Sequence, residues 1–262
     1  MKISARVQPF YTLAIDRDPT DFKQQFEVRR TRLVLEGNVF TKHLTYKTQT
    51  DFARGFVLLR DAHFDVEAKK DVWLRVGQWK RPFSRQQINS SGRLEITDRA
   101  ITDKAWGAGR DIGIAIHNGY EKSPDLEWTV GVFNGTGEGA RFVPTVDSMG
   151  VVNGGSFTNL PGKMRPVVVG RVGINRNGIK GYSEADLEGG PLRWGAGASV
   201  ALEGDNDDND VSNQKAELDY IVKVNGISTT GGVYLLTDQD PDVGMVDSKL
   251  TDFGASLVGF HL

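Results

Sequence analysis

The 262-residue chain reads as an all-β protein, an antiparallel up-and-down transmembrane β-barrel. Three observations predict this. Twelve segments alternate apolar and polar residues at period two, and helical periodicity is scarce. Short turns alternate with longer polar connections, the layout of an outer-membrane barrel. One face of nearly every segment is dense in charge, which a water-filled lumen accommodates and an apolar core does not.

The predicted strands are, in order, Lys2–Ile15, Phe22–Glu36, Phe40–Ala53, Val57–Ala68, Asp71–Trp79, Asp111–Asn118, Leu126–Asn134, Arg165–Ile174, Leu192–Glu203, Lys215–Asn225, Ile227–Thr237 and Lys249–Leu262. The tight reversals fall at Gly37-Asn38, Lys69-Lys70, Asn118 to Asp125, and Asn225-Gly226, and Asn-Gly is a favoured two-residue hairpin turn. The longer connections are Asp16–Asp21, Pro82–Arg110, Gly135–Met164, Asn175–Pro191, Gly204–Gln214 and Asp238–Ser248.

Alternation assigns faces. In the third strand Leu44, Tyr46, Thr48, Thr50 and Phe52 oppose His43, Thr45, Lys47, Gln49 and Asp51. In the fourth, Ala62, Phe64 and Val66 oppose Asp61, His63, Asp65 and Glu67. Leu126, Trp128, Val130 and Val132 oppose Glu127 and Thr129, and Leu218, Tyr220, Val222 and Val224 oppose Glu217, Asp219 and Lys223. Tyr46, Phe52, Trp128, Trp194 and Tyr220 sit on the apolar face towards strand ends, as an interfacial girdle would. A soluble β-sandwich or ligand-binding barrel also alternates, with its apolar face in the core, and is the rival reading.

Composition removes other classes. A net charge of −2 offers no basic excess for nucleic acid. Without cysteine there is no disulfide framework, thiolate metal site or cysteine nucleophile. No apolar run reaches the roughly 18–20 residues of a transmembrane helix. The first residues, MKISARVQPFYTLAID, alternate and lack the apolar core of a signal peptide.

The second strand is the puzzle. Residues 26–37 read FEVRRTRLVLEG. Alternation places Val28, Arg30, Arg32, Val34 and Glu36 on one side and Glu27, Arg29, Thr31, Leu33 and Leu35 on the other. Arg30 and Arg32 thus face the lumen, whereas Arg29 falls on the lipid side unless a bulge or the strand's wet end turns it round.

Several ordered stretches resemble the phosphate-selective porin family, the outer-membrane O and P porins: FEVRRTRLVLEG, RDAHFDVEA running into LRVGQWKRPFS, INSSGRLEITDRA, GRDIGIAIHNG and LEWTVGVFNGTGEG. The match is looser in KAELDYIVKVNGISTTGGVYLL and TDFGASLVGFHL. The resemblance implies a sixteen-stranded barrel, a homotrimer amid outer-membrane lipid and lipopolysaccharide, and a pore narrowed by infolded loops. With about twelve strands counted, the expectation is a piece of such a chain, lacking about four C-terminal strands and any signal peptide; a genuine twelve-stranded barrel is the alternative. The chain is then one domain, residues 1–262, with 80–110 an infolded constriction loop.

Carried over by resemblance, the paired arginines fall on Arg29 and Arg30, with Arg32 after them. The constriction loop offers Arg81, Arg85, Arg93, Arg99, Lys104 and Arg110. The expected anion-binding set is Arg29, Arg30, Arg32, Arg81, Arg85 and Arg110. The family's anion-binding lysine has no counterpart, since Gln86 or Gln87 stands there, which weakens the case for strict phosphate selectivity. Arginine suits anion passage, because a guanidinium is always charged and offers a planar fork to phosphate or carboxylate oxygens. Arg75, Arg171 and Arg193 read instead as wall electrostatics, paired with acidic neighbours. The implied function is passive diffusion of small anions such as phosphate or polyphosphate, with a weakly selective general porin as runner-up.

The remaining motifs are weak. GDNDDND at Gly204–Asp210 lacks the glycine and distal glutamate of a calcium loop and reads as a solvated extracellular loop, with a loose Ca²⁺ or lipopolysaccharide-bridging site as the alternative. GTGEG at Gly135–Gly139 precedes no helix, so it cradles no nucleotide. His43, His63, His117 and His261 are scattered singly. No cofactor, metal or catalytic constellation is expected.

Overall fold

The computed structural model describes residues 1–15, 22–138, 140–162, 164, 166–203, 212–240 and 248–261. It contains β1 (Lys2–Ile15), β2 (Phe22–Val39), β3 (Thr41–Asp51), β4 (Leu58–Lys69), β5 (Val72–Lys80), β6 (Arg110–His117), β7 (Leu126–Phe133), the short pair β8 (Phe142–Val146) and β9 (Val152–Phe157), and then β10 (Val167–Arg176), β11 (Arg193–Glu203), β12 (Ser212–Val224), β13 (Ile227–Asp240) and β14 (Ser248–His261). Two short helices, α1 (Arg85–Ile88) and α2 (Ile101–Trp106), lie between β5 and β6. Twelve strands form one antiparallel sheet in chain order, interrupted only where β8 and β9 make a separate hairpin between β7 and β10. Among the described residues β1 and β14 are the two edges of that sheet.

The sheet is inside out by the standard of a soluble protein. Asp61, Arg75, Glu127, Arg171, Glu217 and Asp219 are buried, whereas Val130, Val172, Val200 and Leu218 on the opposite face are exposed. Leu218 is 64% exposed beside Glu217 at 3%. A soluble β-sandwich would bury the other face, so that rival fails. Apolar surface outside and charge inside, as the described residues have them, are what a barrel between lipid and water requires. Phe52, Trp194 and Tyr220 of the expected girdle are exposed on the outward face.

All twelve predicted strands are present, and three local expectations need correction. The reversal after β2 lies at Phe40, with a positive φ of 59°, because Gly37 and Asn38 continue the ladder opposite Tyr46 and Thr45. The polar connection 135–164 contains the β8–β9 hairpin, which period-two reading passed over. Asn175–Pro191 is a long connection at the short-turn end, and it folds inward: Ile179, Tyr182, Glu184 and Asp186 are buried. The Asn225-Gly226 turn has positive φ at both residues, 51° and 87°, as a primed hairpin turn needs. The predicted strand ends Arg165 and Leu262, and residues 16–21, 204–211 and 241–247, lie outside the described residues.

A charge on the outward face tests this orientation. Val172 lies between Trp128 and Ala198, midway along β10. Val172→Lys should cost about 2–4 kcal/mol if the site sits near the bilayer midplane. Urea titrations of the protein in lipid vesicles measure it, and a neutral result would contradict the assigned face.

Candidate functional site

The site is made by the segment between β5 and β6. Pro82 has no amide hydrogen to continue the β5 ladder, and the chain turns inward there. Phe83 is fully buried among Trp79, Phe133, Val167, Val169, Ala201 and Tyr234. These strand residues point into the barrel, so they form an apolar seat on an otherwise polar wall. Ser84 shares a 2.8 Å hydrogen bond with the Tyr234 hydroxyl, and its amide donates to Ser199 Oγ at 3.3 Å.

An ion network holds the same segment. Arg85 Nε donates to Asp219 Oδ1 at 2.6 Å, and its Nη1 donates to the Gly181 carbonyl at 3.0 Å. The Arg85 guanidinium lies 5.3 Å from the Tyr182 ring centre. Arg171 donates to Asp219 and to Glu127 at 3.1 Å. Further along, Ser228 donates to Glu95, and the Glu184 amide donates to the Arg93 carbonyl at 2.9 Å. On the opposite wall, Ser91 Oγ accepts from Arg6 at 2.7 Å and from Arg32 at 2.8 Å. One segment therefore touches β1 and β2 on one side and β11 to β13 on the other.

Two cavities flank it. The one at the long-connection end has a volume of about 410 Å³ and is lined by seven arginines and four carboxylates among the described residues. The arginines are Arg29, Arg30, Arg32, Arg54, Arg60, Arg99 and Arg110; the carboxylates are Asp51, Asp98, Asp103 and Glu138. The cavity at the short-turn end, about 580 Å³, includes Lys2, Lys47, Lys80, Asp61, His63 and Glu121 in its lining. Arg32 and Arg110 line both.

Of the six arginines expected from sequence, four meet here. Arg32 Nε donates to Asp51 at 2.8 Å and is 10% exposed. Arg110 Nε donates to Asp61 at 2.7 Å. Arg30 reaches Asp98 at 3.2 Å and Gln8 at 3.3 Å. Arg29 pairs with Asp98 and with Glu27 at 3.1 Å. The other two line neither cavity. Arg81 is buried, donating to the Ala108 carbonyl, and Arg85 is consumed by the network above. The side chain of Lys104 lies outside the described residues.

A β-bulge turns Arg29 inward. Gln8 of β1 pairs with Arg30 and Pro9 pairs with Val28, so Arg29 is the extra residue. Pro9 cannot donate to the ladder, which suits a bulge. The bulge also reverses the phase before it: Val28 is exposed outward and Glu27 turns inward with Arg29, whereas simple alternation placed Val28 inward and both Glu27 and Arg29 outward. A second bulge does the same for Arg60, since Gln49 pairs with Asp61 and Thr50 pairs with Leu59. Arg60 reaches Glu138 at 2.7 Å. Sequence reasoning missed Arg54, Arg60 and Asp98; period two hides Arg60, and Asp98 is an ordinary loop carboxylate until the loop folds.

Within the segment, Arg99 donates to the carbonyls of Gln86 and Asn89 at 2.8 Å. Burial pushes the Asp103 carboxyl above its ordinary range, with Arg99 opposing. As expected for wall electrostatics, Arg75 pairs with Asp65 and Glu121, and Arg193 with Asp186. Among the described residues no group of three or more His, Cys, Asp or Glu is placed to hold a metal. The Gly204–Asp210 motif lies outside the described residues.

An inside-out antiparallel wall with a charged interior narrowed by an infolded segment defines a membrane-spanning β-barrel channel. The sequence model of the family described as "Phosphate-selective porin O and P" matches residues 1–165, more than half of the chain. The chain belongs to that family, and its place is the bacterial outer membrane. The family and fold are those of channel proteins rather than enzymes. Among solved structures it is similar to the anion-selective porin from Comamonas acidovorans, with a TM-score of 0.58 and 12% identity over 98% of this chain and 73% of that one. At that identity the likeness bears on fold alone. A mutant of Rh. blastica porin is a weaker match, with a TM-score of 0.36 and 12% identity over 97% of this chain and 99% of that one. No curated protein matches the chain.

The buried network can be tested directly. Asp219→Ala leaves Arg85 and Arg171 without their shared acceptor and should cost about 3–5 kcal/mol. Hydrogen exchange should show amides of residues 81–109 losing protection before those of β1 to β4; uniform loss would argue against a tether specific to that segment.

Proposed function

We propose that the protein is a passive channel for small oxyanions, phosphate and polyphosphate by family resemblance. It is one porin domain, residues 1–262, in which 80–110 is the constriction loop. The observation that carries this reading is the sharing of Arg32 and Arg110 by both cavities, which places two permanent positive charges where the two vestibules meet. A cation at that point raises the barrier for cations and lowers it for anions. Arg29, Arg30, Arg60 and Arg99 extend the positive lining towards the long-connection end, which in such barrels is extracellular. Each arginine has a carboxylate or carbonyl partner, so no bare charge holds an anion tightly, as conduction demands. Family resemblance also supports a homotrimer.

Four carboxylates in the same cavity favour a second reading, a weakly selective porin. Planar-bilayer recordings decide between the two. Arg32→Ala and Arg110→Ala should each lower the chloride-to-potassium permeability ratio and raise the half-blocking phosphate concentration by about tenfold, the value of one lost charged hydrogen bond. Reversal potentials near zero in a KCl gradient for the unaltered protein, unmoved by either variant, would leave the weakly selective reading standing.

A further inference from the structure

The carboxylate of Asp98 sits where an entering oxyanion would be expected to sit. Its Oδ2 accepts from Arg29 Nη2, and its Oδ1 accepts from Arg30 Nη2 at 3.2 Å. Two oxygens of one anion are shared between two guanidiniums, the arrangement those groups offer to phosphate. Asp98 is brought there from the infolded segment, across the cavity from β2, so the pairing is not an accident of neighbouring strands. We propose that Asp98 is a displaceable internal counter-ion, which holds the Arg29–Arg30 seat between permeation events and exchanges with a passing oxyanion. The proposal rests on reading the arginine-lined cavity as the anion path.

Three features favour exchange over a permanent clamp. The Asp98 side chain is 35% exposed, unlike Asp219 at 2% or Asp51 at 5%, so water reaches the pair and weakens it. The segment has anchors other than Asp98. On one side Glu95 is held by Ser228 and by Glu184, and on the other Arg99 is held by the Gln86 and Asn89 carbonyls. Those contacts hold the loop by themselves, so exchange at Asp98 does not require the loop to move. Finally, Arg30 keeps the Thr97 carbonyl and Gln8 as partners at 3.3 Å each, which preserves its direction when the carboxylate leaves.

An internal counter-ion also answers a problem of the site. Two adjacent guanidiniums without a carboxylate would hold a divalent oxyanion too long for rapid passage. A tethered carboxylate competes with the bound anion and speeds its release.

The test uses the native protein in planar bilayers. Phosphate block of the chloride current and reversal potential in a KCl gradient are recorded for Asp98→Asn, Asp98→Glu and Arg30→Ala. Asp98→Asn should lower the half-blocking phosphate concentration by about fivefold, the value of one solvent-accessible pair. It should also raise the chloride-to-potassium ratio, while Asp98→Glu stays near the unaltered protein. If the Asn variant does not assemble, Asp98→Ser gives the same readout. A half-block unchanged within experimental error overturns the proposal. So does a larger current for both ions without a gain in selectivity, because that outcome marks a loop clamp. Arg30→Ala separates the two ideas: weakened block there with no effect at Asp98 sinks only the counter-ion role, whereas no effect of Arg30→Ala sinks the anion path itself.

Discussion

The docking of residues 81–109 on the inner wall is the constraint from which the pore follows. A strand wall that faces lipid outside must put its charges inside, and those charges need partners once a loop excludes water from them. Asp219 supplies the central partner, shared by Arg85 of the loop and Arg171 of the wall. Phe83 adds an apolar anchor in the cluster with Trp79 and Phe133, where burial contributes about 1.5–3 kcal/mol. Together they bind the loop to the β7–β13 side. The space left open lies along β1 to β4 and β6, which is where the arginines gather.

The connection between β10 and β11 reinforces that asymmetry. Tyr182 meets Ile88 of α1 and Tyr120 in one small apolar cluster, and its hydroxyl donates to Glu127 at 2.7 Å. Arg193 and Lys223 close the same region, Lys223 through the carbonyls of Lys180 and Ala185. One half of the interior is thus packed and internally neutralised. The other half stays wet and carries more arginines than carboxylates. On the proposed reading, the packed half supports the loop and the arginine-rich half is the path for anions.

Two bulges set the detail of the wet half. A regular strand cannot send consecutive side chains to the same face. The extra residue in β2 lets Arg29 join Arg30, and the extra residue in β4 lets Arg60 join Asp61. Each bulge therefore enlarges the charged lining without lengthening a strand. The partner residue Pro9 gives a chemical reason for the first; nothing in the sequence around Thr50 gives an equally plain one for the second.

Much of the fold was legible beforehand because period-two alternation reports directly on a two-solvent wall. The twelve strands, their inward carboxylates and the outward aromatics follow from it, and Arg30 and Arg32 were placed on their face by the same rule. It failed at Val28 and Glu27 because a bulge breaks the phase, and at 142–157 because a short exposed hairpin carries no buried stripe. Residue pattern alone specifies a charged interior, an apolar exterior and an arginine-rich second strand. Folding of the whole chain makes Arg85 a tether, sets Arg110 with Arg32 at the divide, and brings Asp98 to Arg29 and Arg30. Those partnerships join residues from 68 to 134 positions apart, brought together by a loop that turns inward, and no local pattern of residues encodes such a meeting.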